Sequence, residues 1–165
     1  MALLILLMGA SVGKVSAATL SPAEEQALIL MREEEKLARD VYLQLYDQFK
    51  SRIFRNIAKS EQTHMDALKT LLDRYGIQDP ATQEIGVFTN VDVQALYNSL
   101  MESATDSLVE ALETGIEIER EDIKDLQDSL NITKQRDIKK VFTNLLRASN
   151  NHLESFEQVL EVVSP

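Results

Sequence analysis

The segment most informative about this chain is Ser60-Glu61-Gln62-Thr63-His64-Met65-Asp66. Glu61 and His64 are three positions apart, and residues with this spacing share one face of an α-helix. One carboxylate and one imidazole can therefore reach the same metal ion from a single helix. In the di-metal sites of four-helix bundles, two Glu-x-x-His helices face two helices that each contribute a Glu. Such pairs are also common on exposed helices, so the prediction of a metal site depends on the rest of the chain.

The composition indicates one helical domain. The chain has 165 residues, of which 44% are hydrophobic, with only five Gly and three Pro, and this favours a globular helical protein. The formal net charge of −10 at pH 7 argues against nucleic acid and anionic membrane surfaces as partners and favours cations. The sequence contains no Cys, which excludes disulfides, thiolate zinc sites, iron–sulfur clusters and thiol catalysis.

The first 17 residues resemble a targeting segment. An apolar run over residues 3–8 is followed by Val15-Ser16-Ala17, the small-residue pattern that precedes a signal-peptidase cut. We expect cleavage after Ala17, which leaves residues 18–165 as the folded domain of an exported protein, in the periplasm, outside the cell or at its surface. No Lys or Arg precedes the apolar run, so a retained apolar segment is the alternative. The segment is too short for a transmembrane span, which needs about 20 residues.

A strong start signal opens the first predicted helix. The sequence Ser21-Pro22-Ala23-Glu24 places Ser at the N-cap, Pro at the first helical position and Glu at the third. Apolar residues then recur at intervals of three and four over Pro22–Phe49, as a buried helix face requires. Glu34 or Glu35 falls close to that face. The alternative for the acidic run that contains them is an ordinary solvated surface.

The second predicted helix covers Arg52–Tyr75 and stops at Gly76. Glu61 and His64 interrupt its apolar face. A histidine in such a position is either a metal ligand or a core residue whose hydrogen bonds are satisfied within the protein. The sequence of this helix alone leaves both interpretations open.

The remaining chain completes a four-helix bundle. Residues 76–90 form an irregular stretch that is long enough to cross the length of the bundle. A short helix is predicted over residues 91–101, with Asn90 as its cap. Two further long helices are expected over residues 106–127 and 133–162, joined by a loop around Asn131. The predicted fold is therefore all-α, a four-helix bundle with a long crossover that carries a short extra helix.

The second half of the chain repeats the pattern of the first. Each half is predicted to be a helical hairpin with an inward carboxylate on its first helix and a histidine on its second. Glu35 and His64 hold these places in the first half, and Glu119 and His152 hold them in the second. The chain contains only two histidines, and both fall at equivalent places. This repetition favours a metal site, and carboxylates with imidazoles suit iron, manganese or zinc.

Four motifs together resemble an exported prokaryotic family with a ferritin-like fold, over about residues 21–160. The motifs are Glu-Glu-Glu-Lys-Leu-Ala-Arg-Asp-Val-Tyr (33–42), Ser-Glu-Gln-Thr-His-Met (60–65), Ile-Glu-Arg-Glu-Asp-Ile-Lys-Asp-Leu (118–126) and Asn-His-Leu (151–153). The wider superfamily, which includes rubrerythrins, implies a di-iron centre with oxidase or peroxidase chemistry. Carried over residue by residue, the resemblance implies five metal ligands: Glu35, Glu61, His64, Glu119 and His152. In rubrerythrins the first-helix ligand lies seven residues before a Tyr, and Glu35 and Tyr42 match this spacing.

One position departs from the family pattern. The fourth helix should offer a Glu three residues before His152, and Ser149 stands there instead. Asp122, one turn after Glu119, or Glu121 could supply the missing carboxylate. Otherwise the site binds one metal or none. The alternative function is then a non-enzymatic exported bundle that binds a partner or a metal, or that assembles as a homo-oligomer through its N-terminal segment.

Overall fold

Helices account for nearly all of the regular structure. The computed structural model describes residues 19–104 and 106–164, and the predicted signal segment lies outside these ranges. Within them the chain forms five helices and no strand, so the predicted all-α class is confirmed. The helices are α1 (Pro22–Phe49), α2 (Arg52–Tyr75), α3 (Val91–Ser103), α4 (Leu108–Ile132) and α5 (Arg136–Val163). None of these helices is long and apolar enough to cross a membrane.

The ends of α1 and α2 follow the sequence signals. Ser21 and Glu24 form the predicted capping box, in which the Ser21 hydroxyl accepts from the Glu24 amide and the Glu24 carboxylate accepts from the Ser21 amide. The helix ends at Lys50 with a φ of 54°, and α2 ends at Gly76 with a φ of 70°. Glycine adopts this left-handed conformation without steric cost, which explains why the sequence marks the second end so clearly.

The predicted bounds of α4 were wrong by several residues. The helix begins at Leu108 because the Ser107 hydroxyl caps the Glu110 amide. It continues through Asn131 to Ile132, although a loop was expected around Asn131. Buried Leu126 and partly buried Leu130 pack in the same apolar cluster, and this packing outweighs the weak helix propensity of the following Asn.

The four long helices form a closed ring of contacts. Helices α1 and α2 form one hairpin and α4 and α5 the other, and the hairpins meet through α1 with α4 and α2 with α5. Helix α3 packs on α1 and α4. The core consists of two apolar clusters, one around Tyr42, Phe54 and Phe156 and one around Leu68 and Phe142. Along each long helix, the predicted metal ligands lie between the residues of these two clusters.

The irregular stretch between α2 and α3 runs beside α1. Arg32 makes two hydrogen bonds of 2.9 Å to the Asp79 carboxylate. Further along, the buried ammonium of Lys36 donates to the Glu84 carbonyl at 2.8 Å, and the Gly86 amide donates to buried Asp40. The stretch therefore crosses along the bundle, as the sequence predicts, and charged residues of α1 hold it in place.

Candidate metal centre

Five of the predicted ligands meet in the interior of the bundle. Glu35 comes from α1, Glu61 and His64 from α2, Glu119 from α4 and His152 from α5, and all but His152 are clearly buried, with His152 at the boundary. Within the described residues they form two overlapping groups, Glu35–Glu61–His64 and Glu61–Glu119–His152. In each group the potential ligand atoms all lie within 4.8 Å of one another.

The first group places one imidazole nitrogen between two carboxylates. His64 Nδ1 lies 3.0 Å from Glu35 Oε2 and 2.6 Å from Glu61 Oε2. This nitrogen carries at most one proton, so it cannot make a well-aligned hydrogen bond to both carboxylates at once. Two ligand atoms that bind one ion at about 2.1 Å, at right angles to each other, lie about 3 Å apart. The spacing is therefore suited to a shared cation.

The second group repeats this arrangement with the other histidine. His152 Nδ1 lies 2.8 Å from Glu61 Oε1 and 3.5 Å from Glu119 Oε2. The two imidazole rings are nearly parallel, with their centroids 5.7 Å apart. The two oxygens of Glu61 thus face different histidines, and Glu61 is placed as a bridge between the two groups.

Several polar atoms of the cluster lack a hydrogen-bond partner. The buried atoms without a partner are Glu35 Oε1, Glu61 Oε1, Asp122 Oδ1 and His152 Nδ1. The contact between Glu61 Oε1 and His152 Nδ1 is short, but it is not aligned as a hydrogen bond. Each such buried group costs about 1–3 kcal/mol when it is left unsatisfied. These are the donor types that bind iron, manganese or zinc, so the residues fit a metal centre.

Crowding of carboxylates shifts the acid–base properties of the site. Burial, followed by the charges of Asp122 and Glu61, raises the pKa of Glu35 well above its usual value. Burial and the charge of Glu119 likewise raise the pKa of Asp122 well above its usual value. Both shifts arise because anionic groups are packed together away from water. A bound cation would relieve this repulsion.

The pKa shifts of Glu61 and His152 favour the charged form of each residue. Burial disfavours the charged form of Glu61, but its contacts with His152 and His64 outweigh burial and lower the pKa of Glu61 to about 2. Burial also disfavours the His152 imidazolium, but Glu119 and Glu61 outweigh it and raise the pKa of His152 to about 10. In the metal-free protein, protonated His152 thus partly replaces a cation beside Glu61.

Ser149, in place of the expected Glu of the fourth helix, contacts Asp122. Ser149 Oγ lies 2.6 Å from Asp122 Oδ2. Glu121, the other candidate for the missing carboxylate, is exposed. Asp122 falls outside both three-residue groups. It lies beside the centre, but its oxygens do not form such a group with any two of the five other residues.

Two further residues contact the site, and neither was among the predicted ligands. Tyr42 is fully buried against Phe54 and Phe156. Its hydroxyl also donates to Glu119 Oε1 at 2.7 Å. Ser60 Oγ lies 3.0 Å from His152 Nε2 and 3.5 Å from His64 Nε2. The seven-residue spacing from Glu35 points to Tyr42, but nothing in the sequence distinguishes Ser60 from a surface serine.

The two acidic residues that precede Glu35 have surroundings of their own. Glu33 is buried and accepts hydrogen bonds from the Thr89 amide and hydroxyl, at 2.7 and 2.9 Å. Glu34 lines a cavity of about 120 Å³ that also reaches Asp122. Burial and nearby Asp125 raise the pKa of Glu34 to about 7. The alternative of an ordinary solvated surface is therefore wrong for this run.

Comparisons with known proteins place the chain among uncharacterised relatives. It matches the family described as an uncharacterized protein domain (DUF2202) over residues 24–164. It is 51% identical over 142 residues to the uncharacterized protein MJ0754 of Methanocaldococcus jannaschii, covering 86% of this chain and 77% of that protein.

Solved structures show the same helical arrangement. The crystal structure of hypothetical protein MJ0754 from Methanococcus jannaschii matches with a TM-score of 0.86 at 50% identity, covering 88% of this chain and 83% of that chain. The crystal structure of a DUF305 fragment from Deinococcus radiodurans matches with a TM-score of 0.66 at 15% identity, covering 88% and 99% of the two chains. At that identity, the second likeness concerns the fold alone.

Proposed function

The chain belongs to the DUF2202 family of uncharacterized protein domains, and we propose that its buried carboxylate–histidine cluster binds two divalent metal ions. One ion would be held by Glu35, Glu61 and His64. The other would be held by Glu61, Glu119 and His152. The observation that carries this proposal is the position of Glu61 between the two histidines. Its Oε2 lies 2.6 Å from His64 Nδ1, and its Oε1 lies 2.8 Å from His152 Nδ1.

Iron is the metal we propose first. The ring of four long helices and the motifs around the cluster support a ferritin-like fold, and such proteins build di-iron sites from these side chains. A pair of irons would supply two-electron redox chemistry toward dioxygen or peroxide. Manganese and zinc suit the same donors. We also propose, from the N-terminal sequence pattern, that the domain works outside the cytoplasm.

The side chains around the cluster would exclude water, orient a carboxylate and hold a proton. Two apolar clusters lie above and below the site along the helices, and they limit the access of water to it. The Tyr42 hydroxyl donates to Glu119 Oε1, which fixes the orientation of that carboxylate. Asp122 and Ser149 share a hydrogen bond beside the centre and provide a place where a proton can be held.

Metal content tests the proposal directly. We expect protein purified without chelators and loaded with Fe(II) under anaerobic conditions to contain about two metal ions per chain by elemental analysis. Glu61→Gln removes the bridging charge while it preserves side-chain shape, and it should reduce the content to one ion or none. Glu154→Gln is the matched control, because Glu154 is exposed on α5 and should leave the content unchanged.

The subsequent reaction with oxygen separates two functions. Oxidation of the bound Fe(II) faster than in buffer would support an oxidase or peroxidase. Stable binding without oxidation would instead favour metal storage or sensing, a function that Ser149 in place of the expected carboxylate supports. A wild-type protein that stays metal-free after loading would refute both functions.

A further inference from the structure

The hydroxyl of Ser60 contacts both histidines of the cluster from their outer side. Ser60 directly precedes Glu61 on α2 and is half-buried. Its Oγ lies 3.0 Å from His152 Nε2 and 3.5 Å from His64 Nε2. The Nδ1 atoms of the same rings face the carboxylates. A single side chain on α2 thus connects a histidine of its own helix with a histidine of α5.

This arrangement is unlike that of the two threonine hydroxyls on α2. The Thr63 hydroxyl donates to the Lys59 carbonyl at 3.2 Å, and the Thr70 hydroxyl donates to the Asp66 carbonyl at 2.9 Å. Both are ordinary bonds within the helix, of the kind that satisfy an otherwise idle hydroxyl. Within residues 19–104 and 106–164, the only polar contacts of Ser60 Oγ are the two imidazole nitrogens.

The chemistry of imidazole explains why such a contact matters for metal binding. A neutral imidazole has one proton, and Nδ1 can bind a metal only when that proton is on Nε2. A hydrogen-bond acceptor beside Nε2 therefore favours the metal-binding tautomer and fixes the orientation of the ring. A serine oxygen has two acceptor positions, so Ser60 can accept from both histidines simultaneously.

We propose that Ser60 is a positioning residue that holds both imidazoles in the Nε2–H form and thereby couples the two halves of the metal centre. A metal ion in one half keeps its histidine as a donor to Ser60. The Ser60 proton is then directed away from the rings, and the second histidine meets an acceptor as well. Binding of the first ion thus prepares the second half, and the two ions bind cooperatively. This inference rests on the proposed metal-binding function.

The two-histidine composition of the chain makes this inference testable by NMR. Protein labelled with ¹⁵N-histidine gives signals from only two imidazoles, and their nitrogen shifts report the tautomers. Zinc is a suitable probe because it is diamagnetic and accepts the same ligands. We expect both rings of the zinc-loaded wild type to bind through Nδ1 and carry a proton on Nε2.

The variants then separate the role of Ser60 from general effects. Ser60→Ala should reduce the fraction of rings that bind zinc through Nδ1 with a proton on Nε2, weaken zinc binding about 10- to 100-fold and remove the cooperativity. Ser60→Thr, which keeps the hydroxyl, should restore wild-type behaviour. Ser155→Ala is the matched control, since it removes a hydroxyl of α5 that donates to the Asn151 carbonyl and contacts neither ring.

The outcomes distinguish this inference from the function on which it rests. If wild-type protein binds no zinc or iron, the proposed function fails, and the role of Ser60 fails with it. If Ser60→Ala binds zinc with wild-type affinity, cooperativity and tautomers, the role of Ser60 alone is overturned. Circular dichroism of each variant checks that the helices are intact, so that a loss of affinity is attributable to the site.

Discussion

Replacing Glu61 by Gln should change the metal-free protein in a way that depends on pH. Glu61 contacts both histidines, and its charge contributes to the raised pKa of His152, which is about 10. In the variant we expect the pKa of His152 to move back toward the ordinary imidazole value of about 6.5. The neutral amide keeps the volume of the side chain, so the effect comes from the lost charge.

The contacts of His152 give the size of the effect. A pKa of about 10 instead of 6.5 corresponds to about 5 kcal/mol of stabilisation at about 1.4 kcal/mol per pH unit. Glu119 and Glu61 both raise this pKa, at 3.5 Å and 2.8 Å from His152 Nδ1, so loss of the Glu61 charge should remove about half of the contribution. We therefore expect Glu61→Gln to lower the free energy of unfolding by about 3 kcal/mol, which is in the range for a broken buried ion pair.

The pH dependence follows from the direction of both shifts. The raised pKa of His152 gives stability that is fully present below about pH 6.5 and is lost as the pH rises through about 10. The lowered pKa of Glu61 gives stability that is present above about pH 4.5 and is lost as the pH falls through about 2. The difference between wild type and variant should therefore be largest between about pH 4.5 and 6.5.

The assay combines urea unfolding with an NMR titration of the two imidazoles, both in the presence of a chelator. Glu154→Gln again serves as the control, because it removes an exposed carboxylate from α5. An unchanged pKa of His152 in Glu61→Gln, or a stability difference that is constant from pH 5 to pH 10, would refute the electrostatic reasoning.

Two further variants test a hydrogen bond to the metal centre and a buried ion pair on α1. Tyr42→Phe keeps the aromatic packing but removes the donor to Glu119, and it should lower the free energy of unfolding by about 1–3 kcal/mol in urea melts; equal stability would show that this bond contributes nothing. Asp40→Asn breaks the fully buried pair with Lys36 and should cost about 3–5 kcal/mol. Asp47→Asn, the control in an exposed pair, should leave the melting curve unchanged, and a similar loss in both variants would contradict the importance of burial.

The sequence predicts the parts of this protein that depend on local signals. The bounds of α1 and α2 were predicted correctly because a capping box and Gly76 mark them. The predicted bounds of α4 were wrong because its last turn is stabilised by tertiary packing of Leu126 and Leu130, which no local pattern reveals.

The same distinction applies to the candidate site. The helical period and the repeated halves predict that His64 and His152 lie near carboxylates, and the structure brings them together. The contact of Ser60 with both rings depends on the relative rotation of α2 and α5, and the hydrogen bond between Asp122 and Ser149 depends on that of α4 and α5. Such rotations arise from the packing of the whole core, so the sequence alone does not predict these contacts.

The acidic run Glu33-Glu34-Glu35 limits how this chain can change in length. Successive residues of a helix point about 100° apart, so the run serves the crossover, the cavity and the metal cluster at once. A single inserted or deleted residue between Leu28 and Glu33 would rotate the start of α1 by about 100° relative to this segment, and buried Leu28 would leave its apolar cluster. The same change between Glu35 and Asp40 would rotate the loop contacts of Asp40 away from those of Glu33. We therefore expect length changes to be rejected both within this segment and in the turns of α1 that carry Leu28 and Met31.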